Sequence, residues 1–182
     1  MGYPYSSGDV LTAADLNASS GLVFIKSVSI GSGVSSVTVS NAFSATFDHY
    51  RVIVQINTCS SSPYVGMTIG SSTSGYYGGR SATTYAGAFS GAGDNSATKF
   101  SYLAAAFAGS PLQFSADIRA PFLTTETGIF SSYVDSNATS GASAGTYSGF
   151  LNNSTSHSYF TVIPSTGTIT GGTIRVYGYN NG

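Results

Sequence analysis

The chain has 182 residues, of which only 7% are Asp, Glu, Lys or Arg, and its formal net charge is -1. With 13 Tyr and 11 Phe it has the aromatic content that disordered chains lack, so the composition excludes disorder and points to one folded domain with a surface of hydroxyls and amides. The lone Cys59 excludes an intramolecular disulfide framework, and no run of about 18 apolar residues is present to span a membrane as a helix.

The opening Met1, Gly2, Tyr3, Pro4, Tyr5 offers neither the basic nor the apolar region of a secretory signal. Residues 8–17 then read as a turn into one short helix. Thr12 caps it, Asp15 three positions on completes a capping-box-like pair, and Leu11 and Leu16 pack across it as a staple. So short a helix needs a surface to lie on. Residues 1–20 are therefore expected to form an N-terminal arm, and residues 21–182 a separate β domain.

From Leu22 the period changes to two, which places alternate residues on opposite faces of a strand. Leu22, Phe24, Val28 and Ile30 fit one face, with Lys26 breaking the pattern, and Val37 and Val39 follow. Residues 50–57 are the strongest strand, with Val52, Val54 and Ile56 on one face and Arg51, Ile53 and Gln55 on the other. Val65, Met67 and Ile69 alternate next. Residues 100–107 also suit a helix through Ala104, Ala105 and Ala106, but the aromatics at both ends favour a strand. Further strands are expected around Leu112, Phe114, Ala116 and Ile118, over residues 127–133, at Phe160 and Val162, and at Ile174 and Val176. Turn clusters at residues 31–33, 71–75, 91–96, 136–145 and 165–172 separate them. This spacing predicts an all-β fold, an antiparallel β-sandwich of jelly-roll type preceded by the short N-terminal helix.

Motifs of chemistry are sparse. Gly141, Ala142, Ser143, Ala144 and Gly145 match the nucleophile-elbow spacing, but no acid falls between Ser143 and His157, and the match lies in a Ser/Gly-rich stretch. His49 and His157 alone make no metal site, and Asp48 beside His49 reads as the end of a loop. Asp117 and Asp135 are the acids available for paired-carboxylate chemistry, although nothing in the sequence selects them. Asp117 and Arg119 flank Ile118 and are expected to pair across strands. The six basic residues are dispersed singly, without the footprint of a nucleic-acid binder. No catalytic residue, metal ligand or cofactor is expected. One group has binding character: Tyr76, Tyr77, Arg80 and Tyr85, in a Gly-rich stretch with Phe89 nearby. Rings with polar tips suit saccharide or protein contacts, and equally suit packing at a sheet edge or subunit interface.

Residues 8–17, read as Gly-Asp-Val-Leu-Thr-Ala-Ala-Asp-Leu-Asn, resemble the opening segment of many phage tail, fibre and head-appendage proteins. The remainder resembles a C-terminal β-sandwich module of such proteins in three places: residues 43–47 between two phenylalanines, the stretch Tyr50, Arg51, Val52, Ile53, Val54, and the closing Ile174, Arg175, Val176, Tyr177, Gly178. In the middle the chain departs from that pattern. The resemblance implies a virion structural protein assembled in the host bacterial cytoplasm, a short tail fibre or surface-display subunit, usually a homotrimer, with no catalytic residues to carry over. Docking to other virion proteins of head or tail then falls to Val10, Leu11 and Leu16, and a host surface saccharide is a candidate contact for the aromatic group. A capsid decoration or head-fibre protein is the alternative of the same class; a carbohydrate-binding module or adhesin is the alternative of another.

Overall fold

A computed structural model of the chain describes residues 21–138 and 141–180. The helix expected over residues 8–17, with Val10, Leu11 and Leu16, lies outside the described residues. The elements in chain order are β1 (Leu22–Ser29), β2 (Val37–Val39), β3 (His49–Cys59), β4 (Tyr64–Ile69), β5 (Tyr76–Thr84), β6 (Phe89–Ala97), β7 (Phe100–Ala105), β8 (Leu112–Arg119), β9 (Thr127–Asp135), β10 (Ser143–Leu151), β11 (Phe160–Pro164) and β12 (Ile169–Tyr179). They form two antiparallel sheets, one of eight strands in the order β1-β12-β3-β8-β9-β10-β5-β6 and one of four in the order β2-β11-β4-β7. The fold is all-β, a sandwich of unequal layers.

The core lies between the layers and follows from period two. On β3 the inward Tyr50, Val52, Val54 and Ile56 are fully buried, and their cross-strand partners on β8 and β12 include the buried Ala116, Phe114, Ile174 and Val176. From the small sheet Val65, Met67, Ile69, Phe100, Leu103, Phe160 and Val162 meet them, all fully buried. Each such side chain removed from water contributes roughly 1.5–3 kcal/mol. Two buried tyrosines add fastenings, because a buried phenol needs a partner for its hydroxyl. Tyr50 Oη donates to the Ser44 carbonyl at 2.7 Å and accepts from the Ser44 amide at 2.8 Å. Tyr76 Oη accepts from the Ile69 amide at 2.9 Å and donates to the Ser72 carbonyl at 3.1 Å, closing the turn over residues 71–75.

Several local expectations are corrected. On β1 the register against β12 shifts between Phe24 and Lys26, so Ile25 and Val28 pack against the core while Leu22 and Phe24 point outward. A β-bulge inserts one residue and reverses the parity of what precedes it. Residues 91–96, read as a turn, lie within β6, residues 143–145 open β10, and β12 begins at Ile169 inside the last turn cluster. The stretch 76–80, read as a Gly-rich aromatic segment, is part of β5. Residues 100–105 are a strand, as the flanking aromatics suggest. Cys59 is a free, buried thiol, and burial raises its pKa.

Candidate functional site

The residues singled out in the sequence do not share a surface. Tyr76 is fully buried, its ring edge-on to Phe100 with centroids 4.8 Å apart. Arg80 is also turned inward, 6% exposed: Nε and Nη2 donate to Tyr133 Oη at 3.2 and 2.8 Å, and its guanidinium lies over the Tyr64 and Tyr133 rings at 5.1 and 5.7 Å. These rings take the place of a carboxylate partner. Tyr77 points to the opposite face of the sheet and stacks on Phe150 at 5.4 Å. Tyr85 sits in the β5–β6 turn, half exposed, its hydroxyl donating to the Asp135 carbonyl. Period two on β5 separates Tyr76 and Arg80 from Tyr77, so the four residues cannot form one contact on this molecule.

The other chemical candidates are similarly dispersed. Ser143 Oγ, buried, lies 3.0 Å from Tyr133 Oη and has no histidine partner among the described residues. His157 is buried elsewhere, 3.3 Å from Asn153 Oδ1, and burial lowers its pKa. Asp117 faces outward and Asp135 inward on the eight-stranded sheet, so they cannot flank one scissile bond. Burial raises the Asp135 pKa, opposed by backbone N–H groups of Asn137 and Phe107. Among the described residues no three His, Cys, Asp or Glu side chains converge on a point.

The outer face of the large sheet does bring chemistry together. Cross-strand partners at one level place Phe24, Tyr177, Arg51, Asp117, Phe130 and Ser148 side by side on six successive strands. At the next level His49, Arg119, Gly128, Phe150 and Tyr77 follow. Asp117 Oδ1 accepts the Tyr179 hydroxyl at 2.6 Å and lies 3.6 Å from Arg51 Nη1, the cross-strand pairing expected for this acid. Burial and the bond to Asp117 raise the Tyr179 pKa, and the bond to Tyr179 raises that of Arg51. So exposed an ion pair contributes little to stability, roughly 0–1 kcal/mol, and its effect is to fix side-chain positions. Beside it opens a groove of about 670 Å³ bordered by Asp117, Arg119, Gly128, Phe130, Ser148 and Tyr179.

Sequence reasoning missed Phe130, although its signal was present: on β9 it occupies the parity opposite to Ile129 and Tyr133, so a large apolar ring was bound to face outward. No family model matches the chain, and neither does a curated protein.

Proposed function

We propose that this chain is a structural subunit of a bacteriophage particle, a short tail fibre or surface-display protein that docks through residues 1–20 and carries the sandwich outward as a homotrimer. The observation that supports the reading is the convergence of the three segments on which the resemblance to phage appendage modules rests. The stretches at 50–54 and 174–178 pair residue for residue, from Val54 opposite Ile174 to Tyr50 opposite Gly178. Residues 43–47 close over them: Phe43 and Phe47 both pack edge-on against Tyr50, at 4.8 and 6.1 Å. A Cβ on Gly178 would run into the Phe47 ring, so the closing glycine is there to admit that ring. Two adjoining patterns and a third from the far end of the chain thus form one packed unit, which is what supports reading them together.

The strand order fits the same reading. Without β5, β6, β9 and β10 the sheets are β1-β12-β3-β8 and β2-β11-β4-β7, the arrangement of a jelly roll into which two hairpins have been inserted. That architecture serves capsid and lectin domains alike, and a fold alone names no activity. The low charge suits a subunit held in a closed assembly.

The test compares the full chain with one lacking residues 1–20. The truncated protein should keep its β-sheet circular dichroism and melting temperature but fail to enter particles, and light scattering of the full chain should give three times the 18.5 kDa chain mass. A truncated chain that copurifies with virions at full occupancy overturns the docking role, and a strict monomer in solution and on particles overturns the trimer.

A further inference from the structure

We propose that the outer-face groove is a binding site for a saccharide bearing a carboxylate. Phe130 lines it, 49% exposed on an interior strand of the sheet. Of the other outward phenylalanines of the face, Phe24 lies against Tyr177 and Phe150 against Tyr77, whereas Phe130 and, on the edge strand outside the groove, Phe89 have no aromatic neighbour among the described residues. Its direct cross-strand neighbours are instead Asp117 and Ser148. An open ring bordered by a carboxylate and a hydroxyl matches a sugar, which offers an apolar C–H face and a rim of hydroxyls.

Charge selects the kind of sugar. Asp117 is already engaged by Arg51 and Tyr179, so that pair is internally neutral. Arg119 makes no hydrogen bond or ion pair among the described residues; its guanidinium lies across Gly128, where a Cβ would come within 3.2 Å of Nε and Nη2. Among the described residues the groove therefore holds one uncompensated cation on a planar fork, the geometry that receives a carboxylate through two parallel hydrogen bonds. Arg119 and Phe130 are diagonal neighbours across the β8–β9 ladder, about 7 Å apart between their backbones, close enough for one sugar residue to meet both. A nucleic-acid strand would need successive free cations along a track, and the groove supplies one.

Titration calorimetry of the full chain against uronate- and sialate-bearing oligosaccharides, each beside its neutral parent, and against an acidic peptide, tests this. An acidic saccharide should bind about tenfold or more tighter than its neutral parent, reflecting one charge-assisted contact. Arg119→Gln should abolish that preference, Phe130→Ala should weaken both ligands about tenfold or more, and Phe24→Ala, on the same face outside the groove, should change nothing. All three side chains face solvent, so unchanged melting temperatures are expected. Binding no tighter than about 1 mM by every saccharide, equal binding of acidic and neutral forms, binding of the acidic peptide instead, or indifference to Phe130→Ala overturns the proposal. None of these readouts involves particles, so failure here is distinct from failure of the docking test.

Discussion

The eight-stranded sheet is two constructions joined along the β8–β9 ladder. On one side β3 and β12 fill their inner face with Val52, Val54, Ile56, Ile174 and Val176. On the other, β10 and β5 use Tyr147, Tyr76 and Arg80 among the glycines 78, 145 and 149. A Cβ on Gly78 would collide with the Tyr147 phenol, so the bare backbone of one strand is the seat of a ring from the next, and one on Gly149 would collide with the Tyr77 carbonyl. Both halves exclude water, but by different divisions of volume: evenly among branched aliphatics, or unequally between ring and glycine. The second division carries polar tips inside. Tyr147 Oη donates to Asp94 Oδ2 at 2.8 Å, and burial and that bond drive its pKa up. Tyr133 Oη serves both Arg80 and Ser143.

The largest test of this contrast removes the ring. Tyr147→Ala should cost about 4 kcal/mol in urea unfolding against about 3 kcal/mol for Ile56→Ala, because it removes the larger side chain from between glycines that cannot fill the space and also takes the hydroxyl partner from Asp94. A smaller cost for Tyr147→Ala than for Ile56→Ala would show that the ring is not what holds its half together.

Glycines give a finer test. Gly78→Ala presses a methyl onto the Tyr147 phenol and should cost about 2 kcal/mol. Gly79→Ala, on the outer face of β5 with nothing within 4 Å of the added atom, should stay within about 0.5 kcal/mol of wild type or gain slightly from the stiffer unfolded chain. Calorimetric melting temperatures of the pair would separate these outcomes, and equal shifts would refute the ring-on-glycine account.

The smallest effect is a titration. Asp135 is 1% exposed and Oδ1 has no hydrogen-bond partner, so burial holds its pKa above the ordinary 3.8. The neutral acid is favoured in the folded state, so its contribution is complete below the unfolded value and lost as pH rises through the raised folded value. Wild-type stability should therefore decline across that window relative to Asp135→Asn, measured by denaturant midpoint at successive pH values. Parallel profiles would mean that Asp135 ionises in place at no cost.

Legibility follows the same division. Strands whose alternate residues are Val, Ile, Leu or Met were readable, as at 50–57 and 112–118, because burial on one face is written directly as period two. Strands β5, β6 and β10 were not, because Gly and Ser at alternate positions carry no hydrophobic signal and normally mark turns. The Tyr76 to Tyr85 group was noticed for its rings, but its division between two faces depended on its being a strand. Asp117 beside Arg119 was read as a pairing element, whereas Phe130 was passed over as one more member of an alternating run.

By itself the sequence determined the all-β class, most of the aliphatic strands and the exclusion of a disulfide framework, since these depend on composition and on neighbours two residues apart. Tertiary structure decided which strands meet. β3 pairs with β12 across most of the chain, and Arg51, Asp117, Phe130, Ser148 and Tyr179 come together from five strands. It also decided the parity of β1, reversed by one bulge. Local period fixes which face a residue takes once its strand exists. It says nothing of which strand lies beside it, because that choice balances loop-closure entropy against burial summed over the whole sheet.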